Sequence, residues 1–202
     1  MQVGPEGRPA GARLSLLAGP GTYNVKLSAG GKELTERLLV LKDPHSGGSE
    51  ADIRLQFTFL QSVQNNFVQV GQMVTQIETL RKQLQALGGS QQGSDLKGGA
   101  AALEEQLIEI EGGLHQLRIT GGQDGMRWAG KLTVKIPHLF TELQNSDFAP
   151  TSQQITVNEQ FTRETRELRT KLDQLMSKDV AAFNRLLAQR GVPAISTSAG
   201  NF

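Results

Sequence analysis

Cysteine is absent from the chain. That excludes disulfide frameworks, thiolate metal sites and cysteine nucleophiles. Aromatic residues make up only 5% of the 202 positions, with one Trp and one Tyr, so a stacking platform for bases or sugars has little to be built from. An excess of either charge is also lacking: 21 Lys and Arg stand against 20 Asp and Glu. The near balance argues against a nucleic-acid partner, which shows as a basic face, and against an acidic tail or a polybasic membrane anchor. No apolar run approaches the roughly 18 residues that span a bilayer. Met1-Gln2-Val3-Gly4-Pro5 lacks the basic and apolar regions of a signal peptide. Two readings follow: a cytoplasmic protein, or a piece of a longer chain exported by an upstream signal.

What is present is helical periodicity. From Ser49 to Leu87, the residues Ile53, Phe57, Leu60, Phe67, Val70, Val74, Ile77, Leu80, Leu84 and Leu87 recur at three or four, with one seven-residue step holding Val63 off register. This spacing lays one apolar stripe along an α-helix. Ser49 is placed as N-cap, Glu50 and Asp52 suit the first turn, and Gly88-Gly89 offers a C-terminal stop. At 1.5 Å per residue such a helix is roughly 55 Å long and needs partner helices along most of its length. Three more stripes supply them. Leu96, Leu103, Leu107, Ile110, Leu114 and Leu117 mark a helix from Ser94 to Ile119, with Gly98-Gly99 and Gly112-Gly113 inside it for close approach or a later start. Leu132, Ile136, Leu139, Phe140 and Leu143 mark a third from Ala129 to Asn145, which Pro137 is expected to kink or restart. Thr151 to Gln154 reads as a capping box opening a fourth. That helix carries Ile155, Phe161, Leu168, Leu172 and Leu175, bends near Ser177-Lys178-Asp179, resumes through Val180, Phe183, Leu186 and Leu187, and stops at Gly191-Val192-Pro193.

Ahead of the helices the period changes to two. Tyr23, Val25 and Leu27 alternate with Asn24 and Lys26; Ala29-Gly30-Gly31-Lys32 is a hairpin turn signal; Glu33 to Lys42 returns. Leu39 and Leu41 add apolar groups to the second face of this strand and predict cover on both sides. Arg13 to Ala18 is a further short strand candidate. A ribbon of two or three strands is marginal alone, so it either packs on the helices or ends a sandwich whose other strands lie elsewhere; the Gly- and Pro-rich start favours the second. The expected fold is mainly α: an up-down bundle of three or four helices over residues 49–191, preceded by an antiparallel β-ribbon over residues 1–44 and followed by a frayed tail over residues 192–202.

No catalytic, cofactor-binding or metal constellation emerges. His45, His115 and His138 have no partner at a metal-ligand spacing, and no Ser sits in a GxSxG elbow. Gly19-Pro20-Gly21 and Gly30-Gly31 read as turns rather than phosphate loops, since neither opens a helix after a strand. Glu104, Glu105, Glu109 and Glu111 form an acidic cluster that reads as a solvated helix face; the rival is a glycosidase-like carboxylate pair. Trp128 reads as a plug at the bundle end, and Met73, Met126 and Met176 as core filler.

Two segments also resemble a known family. Pro20-Gly21-Thr22-Tyr23-Asn24-Val25-Lys26-Leu27, followed by Gly31-Lys32, Leu38, Val40 and Asp43-Pro44, resembles the last strands of the immunoglobulin-like module that follows the β-propeller in bacterial BNR or sortilin-type proteins grouped with the glycosyl hydrolases. Gly130-Lys131-Leu132 through Ser146-Asp147-Phe148-Ala149-Pro150-Thr151, and Asp179 to Gly191 with Phe183, Asn184 and Leu187, resemble the helical region beyond it. His45 stands where that pattern has arginine. The resemblance implies a non-catalytic interaction or scaffolding region, from the C-terminal end of a secreted or periplasmic protein, whose partner is the upstream propeller or a second copy. The propeller, which would hold any active site, has no counterpart in this sequence. A free-standing coiled-coil adaptor and a small carboxylate-based hydrolase are the rival readings.

Overall fold

The computed structural model describes residues 14–88 and 93–196. Strands β1 (Gly21–Ala29) and β2 (Lys32–Val40) form an antiparallel hairpin. Helices α1 (Glu50–Gly88), α2 (Ser94–Leu114), α3 (Leu132–Gln144), α4 (Ser152–Leu175) and α5 (Ala181–Gln189) follow. A 3-10 turn at Asp124–Met126 precedes α3, and a π-helical turn, Met176–Val180, joins α4 to α5. The chain is therefore mainly helical after a two-stranded ribbon, as the periodicity predicts.

The helices form three rods side by side, within the three or four expected. Arg81 and Gln85 of α1 meet Glu111 and Glu104 of α2, while the Gln56 amide of α1 donates to the Leu143 carbonyl at the end of α3 at 2.8 Å. So α2 lies along the C-terminal half of α1 and α3 along its N-terminal half, together matching its length. His115 Nδ1 and Thr133 Oγ1, 3.0 Å apart, tie the end of α2 to the start of α3. The third rod is α4, the π-turn and α5 in one continuous run, parallel to α1: Asn158 meets Ser62 near its start, and Ser196 meets Gln83 just beyond its end.

Terminal chemistry explains the rod ends. Ser49 Oγ accepts from the Asp52 N–H at 3.1 Å while the Asp52 carboxylate accepts from the Ser49 N–H at 2.9 Å, a reciprocal cap. The Thr151–Gln154 box forms as expected. At the far end Gly191 takes φ 68°, the Val192 N–H reaches the Leu187 carbonyl and the Gly191 N–H the Ala188 carbonyl, which is a Schellman stop.

The buried seam of α1 is Gln56, Leu60, Val63, Asn66, Val70, Met73, Ile77, Leu80 and Leu84. It crosses the seven-residue gap through Val63 and Asn66, so Val63 is in register, and Phe67 and Val74 are partly buried on the flank. Other expectations are corrected. α2 ends at Leu114, and Leu117 lies beyond it, exposed. α3 runs through Pro137 without restarting; the one bond lost is that to the Thr133 carbonyl, four residues back in the first turn. The bend near Ser177 is the π-turn. Leu14 to Ala18 is not a strand: the carbonyls of Leu14 and Ser15 accept from the side-chain amides of Gln64 and Gln144, and Leu14 and Leu16 pack on the core. The tail is held as far as Ser196: the Asn184 amide pairs with both backbone groups of Ile195, at 2.9 and 3.1 Å, and Ile195 is buried. Gly89, Arg13 and residues 197–202 lie outside the described residues.

Candidate interaction surface

The hairpin pairs all nine residues of each strand in register, Gly21 opposite Val40 through Ala29 opposite Lys32, around Gly30 and Gly31 at φ 56° and 75°. Positive φ at both turn positions is what a two-residue hairpin with matched strand twist demands. The register sorts side chains by face. Tyr23, Val25, Leu27, Leu34, Leu38 and Val40 share one face with Lys32 and Glu36. Thr22, Asn24, Lys26, Ser28, Glu33, Thr35 and Arg37 share the other with Leu39. On the polar face Lys26 Nζ lies 2.6 Å from Glu33 Oε1.

The apolar face is uncovered. Leu27 and Leu34 keep 62% and 61% of their surface, and Val25 and Leu38 about half. Leu39 and Leu41, expected under a second layer, are exposed as well, at 62% and 75%; cover on both sides is thus corrected to cover on neither. Among the described residues, neither strand pairs with anything but the other, so both outer edges present free backbone donors and acceptors. At the base of the ribbon the apolar surface continues. Leu17, Pro20, Val40, Leu41, Ile53 and Phe57 line a groove between the hairpin and the first turns of α1. Phe57, placed in the seam by its spacing, lines this groove and the one beside Tyr23. Ribbon face and groove share Val40 and adjoin, so these exposed apolar residues form a contiguous patch rather than scattered single side chains.

The surface is held firmly. Tyr23 Oη donates to the Gly19 carbonyl at 2.7 Å and pins the chain where it enters β1. On the exit side Lys42 Nζ donates to the Ser46 carbonyl at 2.7 Å, and the His45 N–H donates to the Asp43 carboxylate at 2.8 Å. His45 therefore owes its place to a turn.

The remaining candidates resolve as structure. His138 is exposed on α3. No group of three His, Asp or Glu suited to a metal occurs among the described residues. The acidic cluster divides: Glu105 and Glu109 are exposed, while Glu111 is buried in an ion pair with Arg81, whose guanidinium also lies 3.7 Å from Glu104. The solvated-face expectation thus fails for Glu111. Its missed signal was Arg81, a cation at the border of the α1 stripe. Trp128 is half-buried in the loop before α3 with Arg118 stacked on it, 4.5 Å from its ring centroid. It clamps the loop instead of plugging the bundle. Met73 is fully buried, Met176 partly so, and Met126 is 93% exposed, so only the first two fill the core. No helix among the described residues is long and apolar enough to cross a membrane.

Comparison with known protein families, with characterised proteins and with solved structures finds no match.

Proposed function

We propose that this chain is a non-catalytic interaction or scaffolding region, in which a stiff helical bundle presents an unfinished β-ribbon to a protein partner. The observation that carries the reading is the ribbon's exposed apolar face, bordered by two unpaired edges. Two strands with one greasy face are not a stable end state in water, and proteins ordinarily cover or blunt such edges. The Tyr23 hydroxyl bond to the carbonyl four residues upstream has the form of the tyrosine corner of β-sandwich domains. It supports the resemblance of this segment to the last strands of an immunoglobulin-like module. On that resemblance the parent is an extracytoplasmic propeller protein, and the partner is its upstream portion or a second copy. The engagement of Glu104 and Glu111 by Arg81 disfavours the carboxylate-hydrolase alternative.

The DNA preceding the Met1 codon tests the parentage. A reading frame continuing upstream into propeller repeats supports it. A ribosome-binding site directly before Met1 overturns it and favours a free-standing adaptor.

A further inference from the structure

The two edges of the ribbon are not equivalent. β1 carries one charge, Lys26, whereas β2 carries four: Lys32, Glu33, Glu36 and Arg37. Charges on an edge strand discourage pairing with another chain. β2 is therefore guarded and β1 is not. We propose that β1 pairs antiparallel with β1 of a second copy of this chain, about a twofold axis at Val25, to form a four-stranded sheet ordered β2-β1-β1-β2. The inference rests on the reading of the ribbon as a contact surface and names its partner.

The sequence of β1 matches itself about Val25, its middle residue. Full nine-residue pairing there sets Val25 on Val25 of the second copy, Tyr23 on Leu27, Asn24 on Lys26, Thr22 on Ser28 and Gly21 on Ala29. Apolar residues meet apolar ones, polar residues meet polar ones, and no like charges are opposed, which is the arrangement that stabilises cross-strand pairs. Because each opposed pair lies on the same face, the two apolar faces join into one. The equivalent pairing of β2 about its own middle residue sets Glu36 against Glu36 of the second copy, and like charges directly opposite are destabilising. The β1 arrangement also leaves both charged strands at the outer edges and exceeds the three strands that an independent sheet needs. Such a contact is isologous and closed, so it ends at a dimer. Strand pairing alone buries less than a standard interface of about 1,600 Å², so the dimer exchanges readily and is best trapped covalently.

A chain without cysteine makes the trap clean. Directly opposed residues of antiparallel strands have Cα atoms about 4.5–5.5 Å apart, within the roughly 4.4–6.8 Å that a disulfide spans. The full chain bearing Val25→Cys is oxidised with glutathione disulfide, which is reduced to two glutathione thiols, beside a Glu36→Cys chain, and an Asn24→Cys chain is mixed with a Lys26→Cys chain as a check on register. Covalent dimer is expected from Val25→Cys at least about tenfold faster than from Glu36→Cys, with the mixed pair cross-linking faster than either member alone. Equal rates, a faster Glu36→Cys reaction, or no dimer from both Val25→Cys and the mixed pair overturns the inference. Light scattering on the unaltered chain separates the two levels. A dimer that Val25→Cys fails to trap refutes the β1 edge and leaves the interaction reading standing. A monomer at every concentration refutes self-association, and the upstream reading frame then decides the rest.

Discussion

Four glycines in α2 provide a direct test of how the rods pack, because they occur as two adjacent pairs with opposite surroundings. A Cβ added at Gly98 or Gly112 meets nothing within 4 Å. At Gly99 it would lie 2.8 and 3.1 Å from the Phe183 ring, and at Gly113 2.8 and 3.0 Å from the methyl groups of Leu168. Each Gly→Ala change removes the conformational penalty of an interior helical glycine, about 1 kcal/mol. For Gly98→Ala and Gly112→Ala nothing opposes that gain, and both should stabilise by about 0.5–1 kcal/mol. Overpacking a filled contact costs about 1–3 kcal/mol. Phe183 is a rigid ring buried against α2, so Gly99→Ala should be destabilising by up to about 2 kcal/mol after the helical gain is subtracted. Leu168 is only partly buried and its methyl tips can turn away; Gly113→Ala should fall near zero. Urea unfolding of the four variants, with constant slope, reads these differences directly. A Gly99→Ala variant as stable as Gly98→Ala would refute the close approach of α2 to α5 and with it the arrangement of the rods.

Further outcomes follow from single contacts. Removing Arg81 leaves the Glu111 carboxylate buried and unpaired, so Arg81→Met should cost about 3 kcal/mol, whereas adding Glu111→Met should restore most of it; a double-mutant cycle by chemical unfolding checks this. Thr151→Ala removes the cap of α4 and should cost about 1 kcal/mol, read as a lowered melting temperature. The Asp124 carboxylate accepts the backbone N–H groups of Thr120 and Gly121, and these bonds hold its pKa below the ordinary value. The folded form then binds its proton less readily than the unfolded chain. Its contribution is therefore complete above the usual carboxylate pKa of about 3.9 and is lost as pH falls through the lower folded value. Asp124→Asn should flatten that part of the acid limb, and a side-chain NMR titration of Asp124 should show a midpoint below that of an unstructured Asp.

The seams were legible in the sequence because burial in a bundle imposes a period of 3.6, and few other arrangements reward it. Every apolar residue assigned to α3 is buried, and so are all those of α2 except Leu117. The hairpin was equally legible, since Gly30-Gly31 between alternating segments leaves few options. Polar groups used inside the core escaped. Gln56, Asn66 and Asn158 are buried although periodicity counts only apolar residues, and the Gln56 amide has its place because it donates to the Leu143 carbonyl at the end of α3 and the Phe148 carbonyl in the loop beyond. Pairing of Arg81 with Glu111 was hidden for the same reason: each residue, taken alone, reads as surface. Leu14 to Ala18 looked like a strand because a short apolar run does not reveal whether its backbone partners are strands or, as here, glutamine side chains. The candidate surface was half legible. Alternation located its residues, but their lack of cover is a property of what does not pack on them, and no local pattern records that.

The separation between ribbon and bundle explains why the exposed face is tolerated. The buried apolar core draws on the helices and on Ile195 of the tail, and on no residue of β1 or β2. Hence the ribbon's apolar groups have no packing duty to the buried core. An apolar strand that serves no core is a liability in an isolated monomer. Its alternation, its register and the bond from Tyr23 to Gly19 are nonetheless those of a strand shaped to be buried. On the proposed interaction reading the two facts agree, because a partner completes that burial. On the same reading, the hydrogen bonds of Lys42 and His45 in the linker and of Ser49 at the start of α1 order the chain beneath the strand in advance, so less ordering entropy opposes association with a partner.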